Sequence, residues 1–295
     1  MRILLVSKHF WPENFRVNEL VLELQKRGFD VEVLTSTPNY PSGNVFPEYL
    51  EQPKKFEDYF GVKVHRVPQI SRRSNLLSLI LNYISFVVSA CVYCILNIRH
   101  RKYDLIFGVQ LSPIFSMLPA ILCKKLIGAP LYFWVLDIWP DSVASGGIKN
   151  AWIIYPLKKL CKFIYSSADT LFLSSRGFES KIKEMGVSNQ NIVYFPQWIE
   201  ADYLGEVELG TKEDDEVKAL ISEWKNKVIF TFTGNIGDAQ DFPSMIKGVK
   251  KSLHVKELVI LLVGDGRYKG ELIKNIKAEG LEKTIIFLGH YPPRY

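Results

Sequence analysis

The sequence predicts an α/β protein: one complete doubly wound, Rossmann-like domain with a parallel sheet, followed by the first half of a second such domain. Three observations carry the prediction. Short β-branched and apolar runs alternate with stretches of helical periodicity. Gly28 closes the first helical stretch just before the next strand, as a C-terminal glycine does. The alternation then breaks after Pro196 and restarts with a different charge balance.

The elements follow in order. Residues 3–7 read as a buried strand, and residues 17–27 as a helix with Val17, Leu20, Val21 and Leu24 on one face. Further strands are expected over residues 31–34, 62–67, 105–109, 131–136, 170–173 and 192–195, seven in all. Residues 200–227 are charged and helical, with Glu213-Asp214-Asp215-Glu216 near a helix start, where acidic groups favour the dipole. A boundary near residue 200 divides the chain into domains 1–200 and 201–295. The second domain reads as strand 228–233, a helix from about Pro243, strand 258–263, helix 268–278 and strand 284–288. Three strands and two helices make a small core with an exposed edge.

Composition excludes several classes. A chain of 295 residues, 47% hydrophobic and 23% charged, is neither disordered nor confined to one small domain. Four cysteines exclude a disulfide scaffold and suit a reducing compartment. Met1-Arg2 leads into an apolar run too short for a secretory signal. The net charge of +6 is uneven: residues 1–200 carry 23 Lys and Arg against 16 Asp and Glu, and residues 201–295 carry 14 against 15. The basic portion suits phosphates or an anionic surface.

Residues 74–98 contain no Asp, Glu, Lys, Arg or His and are bracketed by Arg72-Arg73 and Arg99-His100-Arg101-Lys102. The length is that of a membrane span. Strands of one sheet lie on both sides of the run, however, so the chain must return to the side it left. Asn75, Ser78, Asn82, Ser85, Ser89, Tyr93 and Asn97 recur every three or four residues and make one face weakly polar. Two readings remain: a buried helix of the first domain, or an apolar surface lying against anionic headgroups. Within this run Cys91 and Cys94 have CxxC spacing but no second ligand pair, so they read as core thiols.

No nucleophile elbow and no Gly-x-x-x-x-Gly-Lys loop is present. The informative positions are strand ends, where doubly wound folds hold ligands. The loop after the first strand carries Glu13, Asn14 and Arg16 among aromatic residues; the second carries Asn39 and Tyr40; the fifth carries Asp137, Trp139 and Asp141. Carboxylates, amides and aromatic faces at one rim suit a hydroxyl-rich ligand, although such residues also belong in turns. In the second domain Gly234, Asn235, Gly237 and Gln240 follow one strand, and Gly264, Gly266, Arg267 and Lys269 follow the next. Glycine loops at helix N-termini with two cations suit a nucleotide diphosphate.

These stretches resemble the retaining family 4 glycosyltransferases of the GT-B fold along the whole chain. The matching segments are residues 1–12 with Asn18-Glu19-Leu20, Arg27-Gly28, Val33-Leu34-Thr35, Pro38-Asn39-Tyr40-Pro41, residues 136–142, Tyr194-Phe195-Pro196-Gln197-Trp198, residues 233–237 with Ala239-Gln240, and Val263-Gly264-Asp265-Gly266. The nearest likeness is to the N-acetyl-L-fucosamine transferases of bacterial O-antigen, lipopolysaccharide and capsule biosynthesis. The resemblance implies an acceptor domain followed by a domain binding a nucleotide sugar, usually UDP-linked, without a bound metal or other cofactor. It implies an undecaprenyl-diphosphate-linked acceptor at the cytoplasmic face of the inner membrane, where the chain would be peripheral, and no nucleic-acid partner. It places Asn235, Gly237 and Gln240 near the sugar diphosphate, Arg267 and Lys269 near the nucleotide, and Asp137 facing the acceptor or transferred sugar.

Two departures accompany it. Asn235 and Gln240 stand where many members carry Arg and Lys. The family's paired glutamates, seven residues apart, have no counterpart before Tyr295, so a chain cut within its second domain is expected. The sequence therefore reads as a glycosyltransferase, with a non-catalytic, membrane-associated binding chain as the alternative. A third reading, a dinucleotide-dependent oxidoreductase, is weak, because no G-x-G-x-x-G opens either domain.

Overall fold

The computed structural model describes residues 1–40, 43–71, 76–145, 150–188, 191–199, 215, 218–219, 222–237, 240–266, 268–289 and 291. It divides into two compact units, Met1–Trp198 and Ile199–Tyr295.

The first unit is built on an eight-stranded sheet. Its strands are β1 (Arg2–Ser7), β2 (Asp30–Ser36), β3 (Asp58–Tyr59), β4 (Val62–Val67), β5 (Leu105–Gln110), β6 (Leu131–Val135), β7 (Thr170–Leu173) and β8 (Asn191–Tyr194). Their spatial order is β3-β4-β2-β1-β5-β6-β7-β8. All seven strands expected from the sequence are present and parallel. β1 lies at the centre because nothing polar interrupts Ile3–Val6: Leu4 and Val6 enter one core, Ile3 and Leu5 the other. The unexpected strand is β3, which pairs antiparallel with β4. Its turn places Phe60 at φ +52° and Gly61 at φ +84°, and Asp58 Oδ1 accepts the Gly61 N–H at 3.0 Å. A bulky residue in the left-handed region is uncommon, so the pair Phe60-Gly61 does not read as a hairpin turn.

Helices cover both faces. α1 (Val17–Lys26) lies on the face of Ile3 and Leu5. The helices α3 (Leu76–Tyr93), α4 (Leu118–Ile127), α6 (Ala151–Ser167) and α7 (Gly177–Glu184) share the other core. Two short helices, α2 (Pro47–Glu51) and α5 (Asp141–Ser145), lie in the connections after β2 and β6. α3 continues as a π-helical turn over Cys94–Ile98, and Asn150 caps α6 by accepting the Trp152 N–H at 2.9 Å.

α3 carries apolar side chains on both its inward and its outward side. Phe86, Ala90, Cys94 and Ile98 enter the core, together with buried Ser78 and Asn82. Asn82 Nδ2 donates to Ile70 O at 2.6 Å, Ser85 Oγ accepts from Ile70 N at 2.9 Å, and Tyr93 Oη meets His65 Nδ1 at 2.9 Å. Of the weakly polar face noted in the sequence, Ser78 and Asn82 are thus turned inward, Ser85, Ser89 and Tyr93 are half-buried, and Asn97 is exposed. Outward lie Leu77, Ile80, Leu81, Ile84, Val88, Val92, Ile95 and Leu96, each 40–66% exposed. The expectation of a buried helix is overturned: the polar side chains find partners in the neighbouring loop and on β4, which leaves the aliphatic ones outside. Cys94 packs against Cys123, and Cys91 is half-buried.

The second unit holds β9 (Val228–Thr233), α8 (Phe242–Lys251), β10 (Leu258–Val263), α9 (Lys269–Ala278) and β11 (Ile285–Gly289). Its sheet order is β11-β10-β9, all parallel. Ile236, Phe242, Ile246, Leu262, Leu272 and Ile276 form its core on the helical side, and Trp224 covers Val259 and Leu261 on the other. The helix expected over residues 200–227, with its acidic start, lies largely outside the described residues.

Candidate functional site

In the first unit the chain order reverses between β1 and β5, and a cavity of about 290 Å3 opens at the carboxyl ends of these strands. A crevice at such a switch point is where doubly wound sheets bind ligands. The cavity is lined by Lys8 and His9 after β1, Phe15 in the same loop, Asn39 and Tyr40 after β2, Asn82 and Tyr83 of α3, Leu111 and Ser112 after β5, and Asp137 after β6.

Asp137 is fixed by three donors. Ser112 Oγ donates to Oδ2, Ser142 Oγ donates to Oδ1, and Trp139 Nε1 donates to Oδ2 at 3.2 Å. The Trp139 indole also donates to Ser112 Oγ at 2.9 Å. A carboxylate held this way keeps an acceptor site on Oδ1 for one further donor in a set direction. The three loops that supply Lys8, Ser112 and Asp137 each contain a cis peptide, at Trp11–Pro12, Ser112–Pro113 and Trp139–Pro140.

Opposite Asp137, His9 stacks on Phe15 with ring centres 5.0 Å apart and meets the Tyr40 ring edge-on. Its Nδ1 donates to Glu13 Oε2 at 2.7 Å, and Lys8 Nζ lies 3.3 Å from Nε2. Lysine has no acceptor, so this contact defines Nε2 as the accepting nitrogen and Nδ1 as the protonated one. Lys8 is 2% exposed, with its ammonium 5.0 Å from the centre of the Tyr83 ring. Asn39 is 3% exposed, and its Nδ2 has no hydrogen-bond partner among the described residues. A buried donor left unsatisfied at a cavity wall is costly and is relieved by a ligand oxygen.

The residues singled out in the sequence separate here. Asn39, Tyr40 and Asp137 line the cavity. Glu13 does not: burial pushes its carboxyl pKa up, but His9 and the N–H groups of Asn39 and Tyr40, which donate to Oε1 at 2.8 and 2.7 Å, pull it below the usual value. Its oxygens are occupied in joining the first two strand-end loops, so it positions the wall instead of touching a ligand. Asn14 is exposed and away from the cavity, and Arg16 pairs with Glu19 at 2.9 Å. Both stand at the entry to α1, flanking Phe15. Lys8, His9, Phe15, Asn82, Tyr83, Leu111 and Ser112 join the cavity wall in addition to the candidate residues of the sequence. Ser112-Pro113 after a buried strand was an available signal; Asn82 was hidden within an apolar run.

In the second unit the two glycine loops are zipped to each other. Gly234 N donates to Val263 O at 2.9 Å, Ile236 N to Asp265 O at 2.9 Å, and Tyr268 N to Ile236 O at 3.1 Å. A Cβ on Gly264 would sit 1.9 Å from Gly234 O, and one on Gly266 would sit 2.2 Å from Ile236 O. These two glycines are therefore required by loop-on-loop packing, and the space their missing side chains leave is already filled by backbone. Gln240 Oε1 accepts from Gly237 N at 3.1 Å, and Asn235 is exposed. Lys269, the first residue of α9, lies 3.3 Å from Asp265 Oδ2. Arg267 is outside the described residues.

A doubly wound unit with this switch-point cavity, followed by a second parallel unit with glycine loops, defines a GT-B fold. Anabaena HepE, solved in complex with UDP and glucose, matches with a TM-score of 0.58 over 99% of this chain and 70% of its own, at 14% identity. A trehalose-6-phosphate synthase matches at 0.62 over 100% of this chain and 74% of its own, at 11% identity. The glycosyl transferase 4-like domain family matches residues 14–198, and the chain belongs to that family. WcaI of Escherichia coli (strain K12), named as a colanic acid biosynthesis glycosyl transferase, is 28% identical over 97% of this chain and 71% of its own length. WbjE of Pseudomonas aeruginosa, named as a glycosyltransferase, is 26% identical over 74% of this chain, and the match spans 53% of WbjE.

Proposed function

We propose that the protein transfers a sugar from a UDP-sugar to a hydroxyl of an undecaprenyl-diphosphate-linked acceptor during assembly of a bacterial surface polysaccharide, at the cytoplasmic face of the inner membrane. The observation that carries the reading is the cavity at the β1/β5 switch point. It combines an oriented carboxylate at Asp137, an unsatisfied donor at Asn39, a cation at Lys8 and aromatic faces at Phe15, Tyr40 and Tyr83. That set suits the terminal sugar of an acceptor: Asp137 accepts from one hydroxyl, Asn39 donates to an oxygen, and the rings pack against apolar sugar faces. In the reaction the acceptor oxygen bonds to the anomeric carbon as the bond from that carbon to the diphosphate oxygen breaks, and the acceptor hydroxyl's proton passes to the departing diphosphate. Asp137 is the group assigned to orient the acceptor hydroxyl.

UDP-linkage of the donor is supported by the bound UDP of the HepE structure, and a polysaccharide product by the name that WcaI carries. The donor site is assigned to the loops of Gly234, Asn235, Gly237 and Gln240, and of Gly264, Gly266, Arg267 and Lys269, at the start of α8 and α9. N-acetyl-L-fucosamine as the sugar, retention at the anomeric carbon, and an O-antigen or capsule product are the finer parts, supported by the motif resemblance.

Calorimetric titration with a panel of UDP-sugars tests the reading, followed by transfer of the labelled sugar to a lipid extract and assignment of the anomeric linkage by NMR. Saturable binding and a labelled lipid product are expected. No heat at millimolar UDP-sugar would leave a binding chain without transferase activity.

A further inference from the structure

The structure points to a bilayer-docking surface made by the outward sides of α3 and α6, whose partner we infer to be a membrane rich in anionic headgroups. Each helix connects parallel strands of one sheet, so each starts at the carboxyl end of the sheet, where the cavity opens, and runs back along the same face. Phe86 and Ala90 of α3 share a core with Cys161, Ile164 and Tyr165 of α6, and α4 packs against both helices. The sides turned from this core therefore face the same way.

Those sides carry two complementary chemistries. From Leu77 to Leu96 α3 presents eight aliphatic side chains over about 28 Å of helix, without one charge. α6 presents Trp152 (89% exposed), Ile153 and Tyr155 in its first two turns, then Lys158, Lys159 and Lys162, all exposed. Lys159 Nζ sits 4.6 Å from the Tyr155 ring centre. Aliphatic side chains that enter the acyl boundary, Trp and Tyr at headgroup depth and lysines against anionic lipid are the composition of an interfacial helix pair. A protein partner would call for hydrogen-bonding groups within the patch, and the eight aliphatic side chains of the α3 stripe offer none. α3 cannot cross the bilayer, because β4 before it and β5 after it belong to one sheet. It lies along the surface.

The inner side of the same turns supplies Asn82 and Tyr83 to the cavity. One helix is thus both membrane contact and cavity wall. If the proposed acceptor is taken as given, on which this last step rests, its lipid chain stays in the bilayer while its sugar reaches the cavity past the first turns of α3.

Co-sedimentation of the full chain with vesicles of phosphatidylglycerol and phosphatidylethanolamine, and with phosphatidylcholine alone, tests the surface. Binding to the anionic vesicles is expected, weakened at least tenfold in the double variant L81E/V88E, and made less sensitive to salt in K158Q/K159Q/K162Q. L253E, exposed in the second unit, is the control and is expected to bind like the unaltered protein. All substituted side chains are exposed, and circular dichroism melting checks that each variant folds. Equal vesicle binding by L81E/V88E overturns the proposal. So does loss of a dimer in that variant with no change in vesicle binding. UDP-sugar titration of the same samples separates the two readings. Vesicle binding without UDP-sugar binding keeps the surface and removes the transferase; UDP-sugar binding without vesicle binding does the reverse.

Discussion

The carboxylate of Glu13 accepts the backbone N–H of Asn39 at 2.8 Å, across 26 residues of chain, and so ties the loop after β1 to the loop after β2. Through its other oxygen it holds His9. One buried side chain thereby sets the relative position of three cavity-lining residues without entering the cavity.

Glu13→Gln is expected to weaken this tie. The amide keeps one acceptor but turns an N–H2 toward groups that are themselves donors, at a cost of about 1–3 kcal/mol per unsatisfied donor. Urea unfolding is expected to show the loss in stability. Acceptor KM is expected to rise more than donor KM, because only the acceptor wall is displaced.

Asn39→Leu is expected to behave in the opposite way toward stability. It removes a buried N–H2 that has no partner among the described residues, so the free protein is expected to gain up to about 1 kcal/mol. Acceptor affinity is expected to fall about tenfold, the worth of one hydrogen bond of ~1.4 kcal/mol. Thermal unfolding with and without acceptor reads both effects.

Asp137→Asn leaves the shape of the site and removes the charge that Ser112, Ser142 and Trp139 hold in place. A hydrogen bond from a sugar hydroxyl to a carboxylate contributes about 1.5–3 kcal/mol, so transfer is expected to drop by roughly 10- to 100-fold in kcat/KM. Titration with UDP-sugar is expected to be unchanged, since Asp137 is assigned to the acceptor.

Gly264→Ala is expected to unfold the second unit selectively, since the new Cβ meets Gly234 O at 1.9 Å at a φ of +137°. Overpacking and strain of this kind cost about 3 kcal/mol or more. Gly270→Ala in α9, where a Cβ meets nothing within 4 Å, is expected to stabilise by about 0.5–1 kcal/mol. Limited proteolysis of the two variants distinguishes them.

Acid stability is expected to depend on Glu32. Burial pushes this carboxyl up, but hydrogen bonds from His65, Arg2 and Tyr103 outweigh it and bring the pKa to about 2. The depressed folded-state value means that its contribution is present above about pH 4.5 and is lost as pH falls toward 2. Glu32→Gln is expected to be less stable at pH 7 and to show a flatter loss of stability between pH 4.5 and 2, read by urea midpoints across that range.

The strands were legible because buried parallel strands are continuous apolar runs, as Ile3–Val6 and Leu131–Val135 are. β3 was not, since its turn uses Phe60 in a conformation that residue rarely adopts. In the cavity, Asn39, Tyr40 and Asp137 were legible as polar residues just past strand ends. Asn82 and Tyr83 were not, because helical spacing tells which residues share a face but not which face turns inward. On α3 the inward choice is set by partners at Ile70 and His65, which are distant in sequence. Glu13 was picked out for its chemistry, but nothing local reveals that its oxygens are spent on the Asn39 and Tyr40 backbone.

The zipped glycine loops of the second unit have a consequence for how this protein can vary. Gly264 and Gly266 have room for no side chain because Gly234 O and Ile236 O occupy it, so a residue is acceptable in one loop only against a particular path of the other. Two segments about 30 positions apart in the chain thus form a single unit of mutational tolerance. A change in either is expected to show strong epistasis with the other, and recombination that exchanges one loop without its counterpart is expected to yield a chain that fails to fold.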